Sequence, residues 1–336
     1  MRHRKILPWL AAVACFATAC AGTSGTTRSS ASTPSSTPSS ASSAARSSAT
    51  AEKRNKALVL RLYAQAFNRK RSEVVTELVA TGFVQHEKSV SGGAEGQIEQ
   101  FEKLRARIPG AVATVRHVAA DGDLVAVHWQ ASATPADEAT GVARADLYRV
   151  ARGRLVEHWG ITQTVPPKTA SGNSLFGDAY RYPKGAPSLS EEQEERNRKF
   201  AVTAYRELSD GDVAVIDRKW DPRYYQHNPM IPNGTGPLKR LLRQDTEDAS
   251  SSNDRPGASA SPGAGGRTRF GNTLADGDLV WVFSVDHVVA DLFRVVDGKI
   301  IEHWDVVADG QERDRRTAAG SGPAGRAGAG PHRRGR

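Results

Sequence analysis

The sequence has almost no cysteine. Its only two, Cys15 and Cys20, lie within the first twenty of 336 residues, so the rest of the chain cannot hold a disulfide. The folded part must therefore be stabilised by burial of apolar side chains.

Net positive charge is scarce outside the two ends of the chain. The net charge is +9, of which Arg2, Arg4 and Lys5 contribute +3. Residues 306–336 contribute +4 from seven arginines and three acidic residues, which leaves +2 for everything between. A nearly neutral body has no basic surface for a polyanion, so we expect no nucleic acid partner.

An apolar run long enough to cross a membrane is also missing, because residues 6–16 are too short for a lasting transmembrane helix. This run follows a basic start and precedes small residues, which is typical of a secretory signal. Its ending resembles a bacterial lipobox, in which Cys20 carries the lipid. We therefore expect residues 1–20 to be a lipoprotein signal and the chain to be exported, anchored in the cell membrane through Cys20 and facing outward; secretion without an anchor is the alternative.

Four segments have compositions that cannot bury a core. They predict a disordered Ser/Thr/Ala tether, a linker rich in Pro and Gly, a low-complexity insertion and a disordered basic tail, at residues 21–50, 166–190, 249–266 and 308–336 respectively. The stretches that remain, residues 51–165 and 191–307, are the predicted domains.

The two domains share an internal repeat. Residues 146–159 and 291–304 have eight identities in fourteen positions. Each copy consists of two runs of β-branched, aromatic and other apolar residues joined by a Gly-containing turn, which predicts a β-hairpin. The chain therefore contains two related domains in tandem.

Hydrophobic periodicity predicts the same order of elements in both domains. A long helix, a short helix, a short strand and a third helix precede a run of antiparallel strands, which gives the α+β class. The interval from Asp276 to Asp291 is fifteen residues, whereas that from Asp121 to Asp146 is twenty-five, so one hairpin of the second domain is shortened. In the first domain the predicted helices cover the stretch around 58–68 and residues 72–79 and 98–108, and the predicted strands cover 83–86, 113–119, 124–132, 142–150 and 154–161.

This order and its motifs resemble the SnoaL-like polyketide cyclase group of the nuclear transport factor 2-like superfamily. The motifs are two Gln-His segments, two Asp-Gly-Asp turns and two Glu-His-Trp endings, at 85–86 and 226–227, 121–123 and 276–278, and 157–159 and 302–304. The resemblance implies two tandem cone-shaped domains, each a curved antiparallel sheet wrapped by about three helices, with a pocket at the mouth of the cone. Members of the superfamily commonly pair sheet to sheet, so the two copies would form an internal pseudo-dimer.

Side chains alternate faces along a strand, which places Asp146 on one face with Tyr148, and His303 on one face with Asp305. If those faces line the cones, buried carboxylates and imidazoles could exchange protons for enolisation, aldol closure or epoxide opening. The resemblance implies an Asp as the general acid/base, which favours Asp305, whose counterpart in the first domain is Gly160. The catalytic candidates are His86, Asp146, His158, His227, Asp291, His303 and Asp305, and the ligand-binding candidates are Tyr148, Trp159, Phe293 and Trp304.

Structural roles are the alternative for each of these residues. His86 and His227 could bond backbone at a strand end, Asp146 and Asp291 could pair with a buried Arg, and the two tryptophans could belong to a core or an interface. No close His-x-His or His-x-x-x-His spacing indicates a metal, and we expect no cofactor. The sequence predicts an exported protein that binds a small apolar molecule, with or without acid/base turnover; a non-catalytic binding or interaction module at the cell surface is the alternative.

Overall fold

The computed structural model describes residues 40–87, 90–251 and 269–310. No helix within these ranges is long and apolar enough to cross a membrane. The predicted signal with Cys20, the tether up to residue 39, most of the insertion and the tail from residue 311 lie outside the described residues.

The first domain begins with a long helix, α1, which a π-helical segment (Leu62–Phe67) extends. Residues 40–61 contain five alanines among their first twelve residues and neither Gly nor Pro, a composition that favours helix. The prediction that the disordered tether extends to residue 50 is therefore wrong for residues 40–50. The elements are α1 (Ser40–Arg61), α2 (Glu73–Leu78), β1 (Val79–Gln85), α3 (Gly93–Arg107), β2 (Val112–Asp121), β3 (Leu124–Ser132), β4 (Val142–Ala151) and β5 (Arg154–Thr164).

The second domain repeats this order. Its first helix starts with a capping box, in which Ser190 and Gln193 each bond the other's backbone N–H. The connection between the strands Leu279–Ser284 and Val289–Val296 has only residues 285–288, whereas the equivalent connection in the first domain spans 133–141, so the shortened hairpin is confirmed. The elements are α4 (Glu191–Ser209), α5 (Val215–Lys219), β6 (Trp220–Gln226), α6 (Thr235–Ser251), β7 (Phe270–Asp276), β8 (Leu279–Ser284), β9 (Val289–Val296) and β10 (Lys299–Val307).

Each domain contains one five-stranded sheet, with the strand orders β1-β5-β4-β3-β2 and β6-β10-β9-β8-β7. Both α+β domains are confirmed, but the sheets are mixed rather than purely antiparallel. The edge strands β1 and β6 run parallel to β5 and β10. A long crossover that includes a helix separates each edge strand from its partner, which is what parallel pairing requires.

The inner face of each sheet packs against the helices of its own domain. In the first domain, Val59 and Phe67 from the first helical stretch and Phe101 from α3 are buried against the sheet. In the second, Ala201 from α4 and Val215 from α5 have the same place.

The opposite faces of the two sheets share a third apolar cluster. It contains Leu147 and Ile161 from the first sheet and Trp281, Leu292 and Trp304 from the second. The Asp-Gly-Asp turns also join the domains, since an Asp276 carboxylate oxygen accepts bonds from the Ala120 N–H (2.7 Å) and the Lys56 ammonium (2.5 Å). The two inner faces therefore point away from each other.

Candidate functional site

The strand register places the repeated polar residues on the inner faces of the sheets. In the first domain Asp146 lies opposite Gly160, and Tyr148 opposite His158. In the second domain Asp291 lies opposite Asp305, and Phe293 opposite His303. Two homologous sets of side chains therefore face two separate cones.

Asp146 is fully engaged in the first cone. Its Oδ2 accepts hydrogen bonds from the Tyr63 hydroxyl and the Trp129 indole N–H, both at 2.6 Å. Its Oδ1 accepts a bond from Arg144 at 2.9 Å and lies 3.3 Å from His158 Nε2. Burial alone would raise the pKa of Asp146, but the Arg144 charge and the His158 and Tyr63 hydrogen bonds outweigh it and hold that pKa well below its usual value.

Gly160 leaves the room that this ion cluster needs. Arg144 also donates to Glu87 Oε2 at 2.9 Å, directly above the glycine. A Cβ at position 160 would lie 2.4 Å from both the Arg144 guanidinium and the Glu87 carboxylate. An aspartate at the position of Asp305 is therefore incompatible with the first cone as it is built.

Aromatic side chains of the domain fill the interior of the first cone. Tyr63 and Phe67 contact the Trp129 ring with centroid distances of 5.0 and 5.4 Å, and Phe67 contacts Phe101 at 5.2 Å. All four rings are buried. The first cone is thus closed around its ion cluster by its own core.

The second cone contains a different set. Ligand atoms of Asp291, His303 and Asp305 all lie within 4.8 Å of one another, and all three residues are buried. His303 Nε2 lies 3.1 Å from Asp291 Oδ1, and the Asn228 amide donates to Asp305 Oδ2 at 2.6 Å. Carboxylates and imidazole in this arrangement can exchange protons or hold a cation.

A glutamine fixes the orientation of each inner-face histidine. Gln226 Oε1 accepts the backbone N–H groups of His227 (2.9 Å) and Asn228 (2.8 Å) and lies 2.9 Å from His303 Nδ1. His303 therefore carries a proton on Nδ1 and directs Nε2 at Asp291. Gln85 Oε1 lies at the same distance from His158 Nδ1 in the first domain.

Four positions of this framework differ between the cones. The first cone has the Arg144–Glu87 ion pair above a glycine, and Trp129 at its wall. In the second cone Arg144, Glu87, Gly160 and Trp129 are replaced by Val289, Asn228, Asp305 and Ser284 respectively. The second cone has therefore exchanged its arginine for an additional carboxylate.

The prediction that His86, His227, Trp159 and Trp304 line the cones is wrong. Strand alternation points Gln85 and Gln226 inward, so the histidine that follows each of them points to the opposite side of the sheet. His86 stacks on Trp159 with a centroid distance of 4.4 Å, and His227 on Trp304 at 4.8 Å.

The other predicted residues, Asp146, His158, Asp291, His303, Asp305, Tyr148 and Phe293, all lie on the inner faces. Tyr148 and Phe293 stack on the inner-face histidines His158 and His303. Sequence reasoning missed Gln85, Gln226, Asn228, Tyr63 and Trp129, whereas the buried arginine that it offered as an alternative partner of Asp146 is Arg144. The period of two applied through the Gln-His segments would have found the two glutamines, whereas Tyr63 was hidden in an apolar helix stripe.

The comparisons with known proteins match about one third of the chain. Residues 57–170 match the family model of SnoaL-like polyketide cyclases. IdmH from Streptomyces antibioticus is 26% identical over 33% of this chain and 94% of its own, with a TM-score of 0.28. A SnoaL-like family protein from Agrobacterium tumefaciens is 17% identical over 33% of this chain and 98% of its own, also with a TM-score of 0.28. Comparison with curated proteins gives no match.

Proposed function

We propose that the chain binds a small apolar molecule and that the second cone performs acid/base proton transfer on it. The premise is that residues 57–170 form a SnoaL-like domain and that both domains, which share one order of elements, have the nuclear transport factor 2-like fold. The observation that carries this proposal is the Asp291–Asp305 pair. The two residues lie directly opposite each other on neighbouring strands and are buried beside His303. Two carboxylates placed opposite each other on neighbouring strands repel when both are charged, so this pairing is unfavourable for the fold alone and points to a chemical role.

The roles follow from the contacts. Asp305, held by the Asn228 amide, is the proposed general base that removes a proton next to a carbonyl group. His303, oriented by Gln226 and paired with Asp291, is the proposed donor that returns the proton. The flanking Phe293 ring supports the choice of an apolar substrate. Isomerisation or ring closure of an enolisable carbonyl compound needs no more than these steps.

The first domain supports the second in this proposal. Its Asp146 is kept ionised by Arg144, and its cone is filled by Tyr63, Phe67 and Trp129. The shared apolar cluster between the sheets supports an internal pseudo-dimer, in which one copy preserves the fold and the other carries the chemistry.

Export and lipid anchoring through Cys20 complete the proposal. They are supported by the basic start, the apolar run and the small residues before Cys20, as the sequence has them. Labelling of growing cells with a radioactive or alkyne fatty acid tests the anchor. Wild-type chain should be labelled and Cys20→Ala should not; label retained in the variant would refute the anchor.

Proton exchange tests the chemistry. The protein is incubated in D₂O with a panel of apolar enolisable ketones, and deuterium incorporation is followed by mass spectrometry. Asp305→Asn and His303→Gln should each reduce incorporation at least a hundredfold, the usual size of one acid/base contribution. The matched control is Asp297→Asn, in an exposed turn with a positive φ that Asn tolerates. Exchange that is equal in wild type and Asp305→Asn would refute the assignment.

A second candidate is a non-catalytic binding module, which the first domain favours because its cone has the same framework without the carboxylate pair. It predicts a small molecule retained in native mass spectrometry of the purified chain, with no deuterium incorporation from any member of the panel. Detection of exchange that depends on Asp305 would exclude it.

A further inference from the structure

Both domains carry the same ion network on the side of the sheet opposite the cone. A histidine contacts a glutamate, the glutamate contacts an arginine, and the arginine contacts the second aspartate of the Asp-Gly-Asp turn. The four residues are His86, Glu157, Arg149 and Asp123 in the first domain, and His227, Glu302, Arg294 and Asp278 in the second.

In the second domain, part of the interdomain linker covers this network. We call residues 173–182 the strap. Glu302 accepts the backbone N–H groups of Ala179 and Tyr180, the second at 3.2 Å. Arg294 donates to Asp178 Oδ1 at 3.0 Å.

Two further contacts complete the cover. The Trp304 indole donates to the Gly177 carbonyl at 3.1 Å. His227 Nδ1 lies 2.5 Å from the Ser174 carbonyl oxygen. The strap is also held by side chains, since Leu175 and Phe176 are buried in the apolar cluster between the sheets and the Tyr182 hydroxyl donates to Asp278 Oδ2 at 3.0 Å.

Within the described ranges, no segment covers the first domain's network in this way. The Glu157 side chain is 30% exposed and His86 37%, whereas Glu302 is 0% and His227 2% exposed. Val84, the partner of Glu157 in the neighbouring strand, is 46% exposed. The same recognition chemistry is therefore present twice, once occupied and once open.

His287 limits the shape of an occupant. It comes from the short β8–β9 connection and stacks on Trp159 with a centroid distance of 5.2 Å. This contact covers part of the indole but leaves the Glu157 carboxylate and the Arg149 guanidinium accessible at about one third exposure each. A thin, extended backbone fits this space better than a helix.

We propose that this open face, formed by Val84, His86, Arg149, Glu157 and Trp159, binds an extended peptide segment of a partner protein. The strap defines the chemistry of that segment. By analogy with the strap, the partner segment offers two successive backbone N–H groups to Glu157. One residue before them it has an Asp or Glu whose carboxylate pairs with Arg149. This proposal does not depend on turnover in the second cone.

The probe is a fluorescein-labelled synthetic peptide with the strap sequence of residues 173–182, titrated with the full chain and followed by fluorescence anisotropy. We expect saturable binding of one peptide per chain. Glu157→Gln should weaken it by roughly tenfold or more, because two N–H groups lose a charged acceptor. A peptide carrying Asp178→Asn should also bind more weakly.

The control variant is Glu99→Gln, which replaces a half-exposed carboxylate on α3 that pairs with Lys103 one turn away. It should bind like wild type. Absence of binding, or equal binding by wild type and Glu157→Gln, overturns the proposal, and the latter result would mean that the peptide had replaced the strap in the second domain. Binding that appears only after deletion of residues 311–336 assigns the face to the chain's own tail and also overturns it.

Self-association is the remaining alternative occupant. Sedimentation velocity at the titration concentrations distinguishes it. A dimer that Glu157→Gln converts to monomer, together with no peptide binding, would identify a second copy as the occupant and refute the partner peptide. A wild-type monomer that binds the probe supports the proposal.

Discussion

At the scale of single residues, the two cones show how few side chains separate an inert ion cluster from a site with exchangeable protons. Asp146 and Asp291 occupy the same position, but Arg144 beside Asp146 becomes Val289 beside Asp291. Gly160 and Asp305 are the other half of the exchange. A buried carboxylate beside an arginine is a structural anion, whereas the second cone places a second carboxylate where the first cone has a glycine.

Asp146→Asn tests the structural role of the first carboxylate. Removing one partner of a buried ion pair leaves Arg144 inadequately balanced, so the free energy of unfolding should fall by about 3–5 kcal/mol. The folded state lowers the pKa of Asp146. Its stabilisation is therefore complete well above the unfolded pKa of about 3.9 and is lost progressively as pH falls from that value through the lower pKa of the folded state.

Urea unfolding at pH 7 and pH 3.5 gives the measurement. Wild type should lose more stability than Asp146→Asn between the two pH values, because only wild type has this carboxylate to protonate. Equal losses would contradict the ionised state deduced from the contacts with Arg144.

Gly160→Ala tests whether the glycine is required by its surroundings. The added methyl group would overlap Arg144 and Glu87, and relieving the overlap should reduce the free energy of unfolding by about 1–3 kcal/mol. Gly236→Ala is the control, since a Cβ there meets only Arg240 at 3.6 Å in the first turn of α6. Chemical denaturation of the two variants should separate them; equal stability would refute the tight packing at position 160.

At the scale of elements, a strand period of two decides which histidine belongs to which side of the sheet. The repeat, the hairpins and the long helices were predictable because their periodicity and turn residues are local signals. The parallel edge strands were not, because β1 is seven residues long and its partner β5 lies some seventy residues later in the chain. No local pattern states the direction in which such a strand is added to the sheet.

The candidate site was predictable only in part for the same reason. Asp146, His158, Asp291, His303 and Asp305 lie in repeated strands and were found. Tyr63 reaches Asp146 from a helix 83 residues away, and its role depends on a tertiary contact that an apolar stripe conceals. His86 and His227 were assigned to the cones because they belong to the Gln-His motif. The alternation of side chains along their strands, which points them to the opposite face, was not applied to them.

His128 gives an element-scale prediction for β3. It lies between the sheets, with Nδ1 3.1 Å from His117 Nδ1, and its ring stacks on Phe176. Burial, reinforced by the neighbouring histidines His117 and His227 and by Arg116, lowers the pKa of His128 well below its usual value. The unfolded chain takes up this proton near pH 6.5 and the folded chain does not, so stability is lost as pH falls below about 6.5.

His128→Phe should remove that loss, because the equivalent position of the second domain is Phe283 and a phenyl ring can keep the stack on Phe176. Between pH 7.5 and 5, wild type should lose up to about 2 kcal/mol more stability than the variant. Asp178, which lies 3.1 Å from His117, is present in both proteins and therefore does not account for a difference between their pH profiles. Parallel pH profiles in urea unfolding would show that His128 is not the group responsible.

At the scale of the whole molecule, the shared apolar cluster makes each domain part of the other's core. Leu292 and Trp304 of the second sheet are buried against Leu147 and Ile161 of the first. Backbone and side-chain bonds from Asp121 and Asp276 cross the same boundary. Two domains that share a core in this way should unfold together rather than one after the other.

Leu292→Ala tests this coupling. Truncating a buried leucine should remove about 2–5 kcal/mol of stability, and because the cavity opens between the sheets, both domains should lose it. Scanning calorimetry should show one transition in wild type and one transition at lower temperature in the variant. Leu238→Ala, in the core of the second domain alone, serves for comparison and should also lower that single transition. If either variant instead gave two transitions, with the first domain melting at its original temperature, the sheets would be in contact without being energetically coupled, and the first domain would be an independent neighbour rather than the support of the second cone.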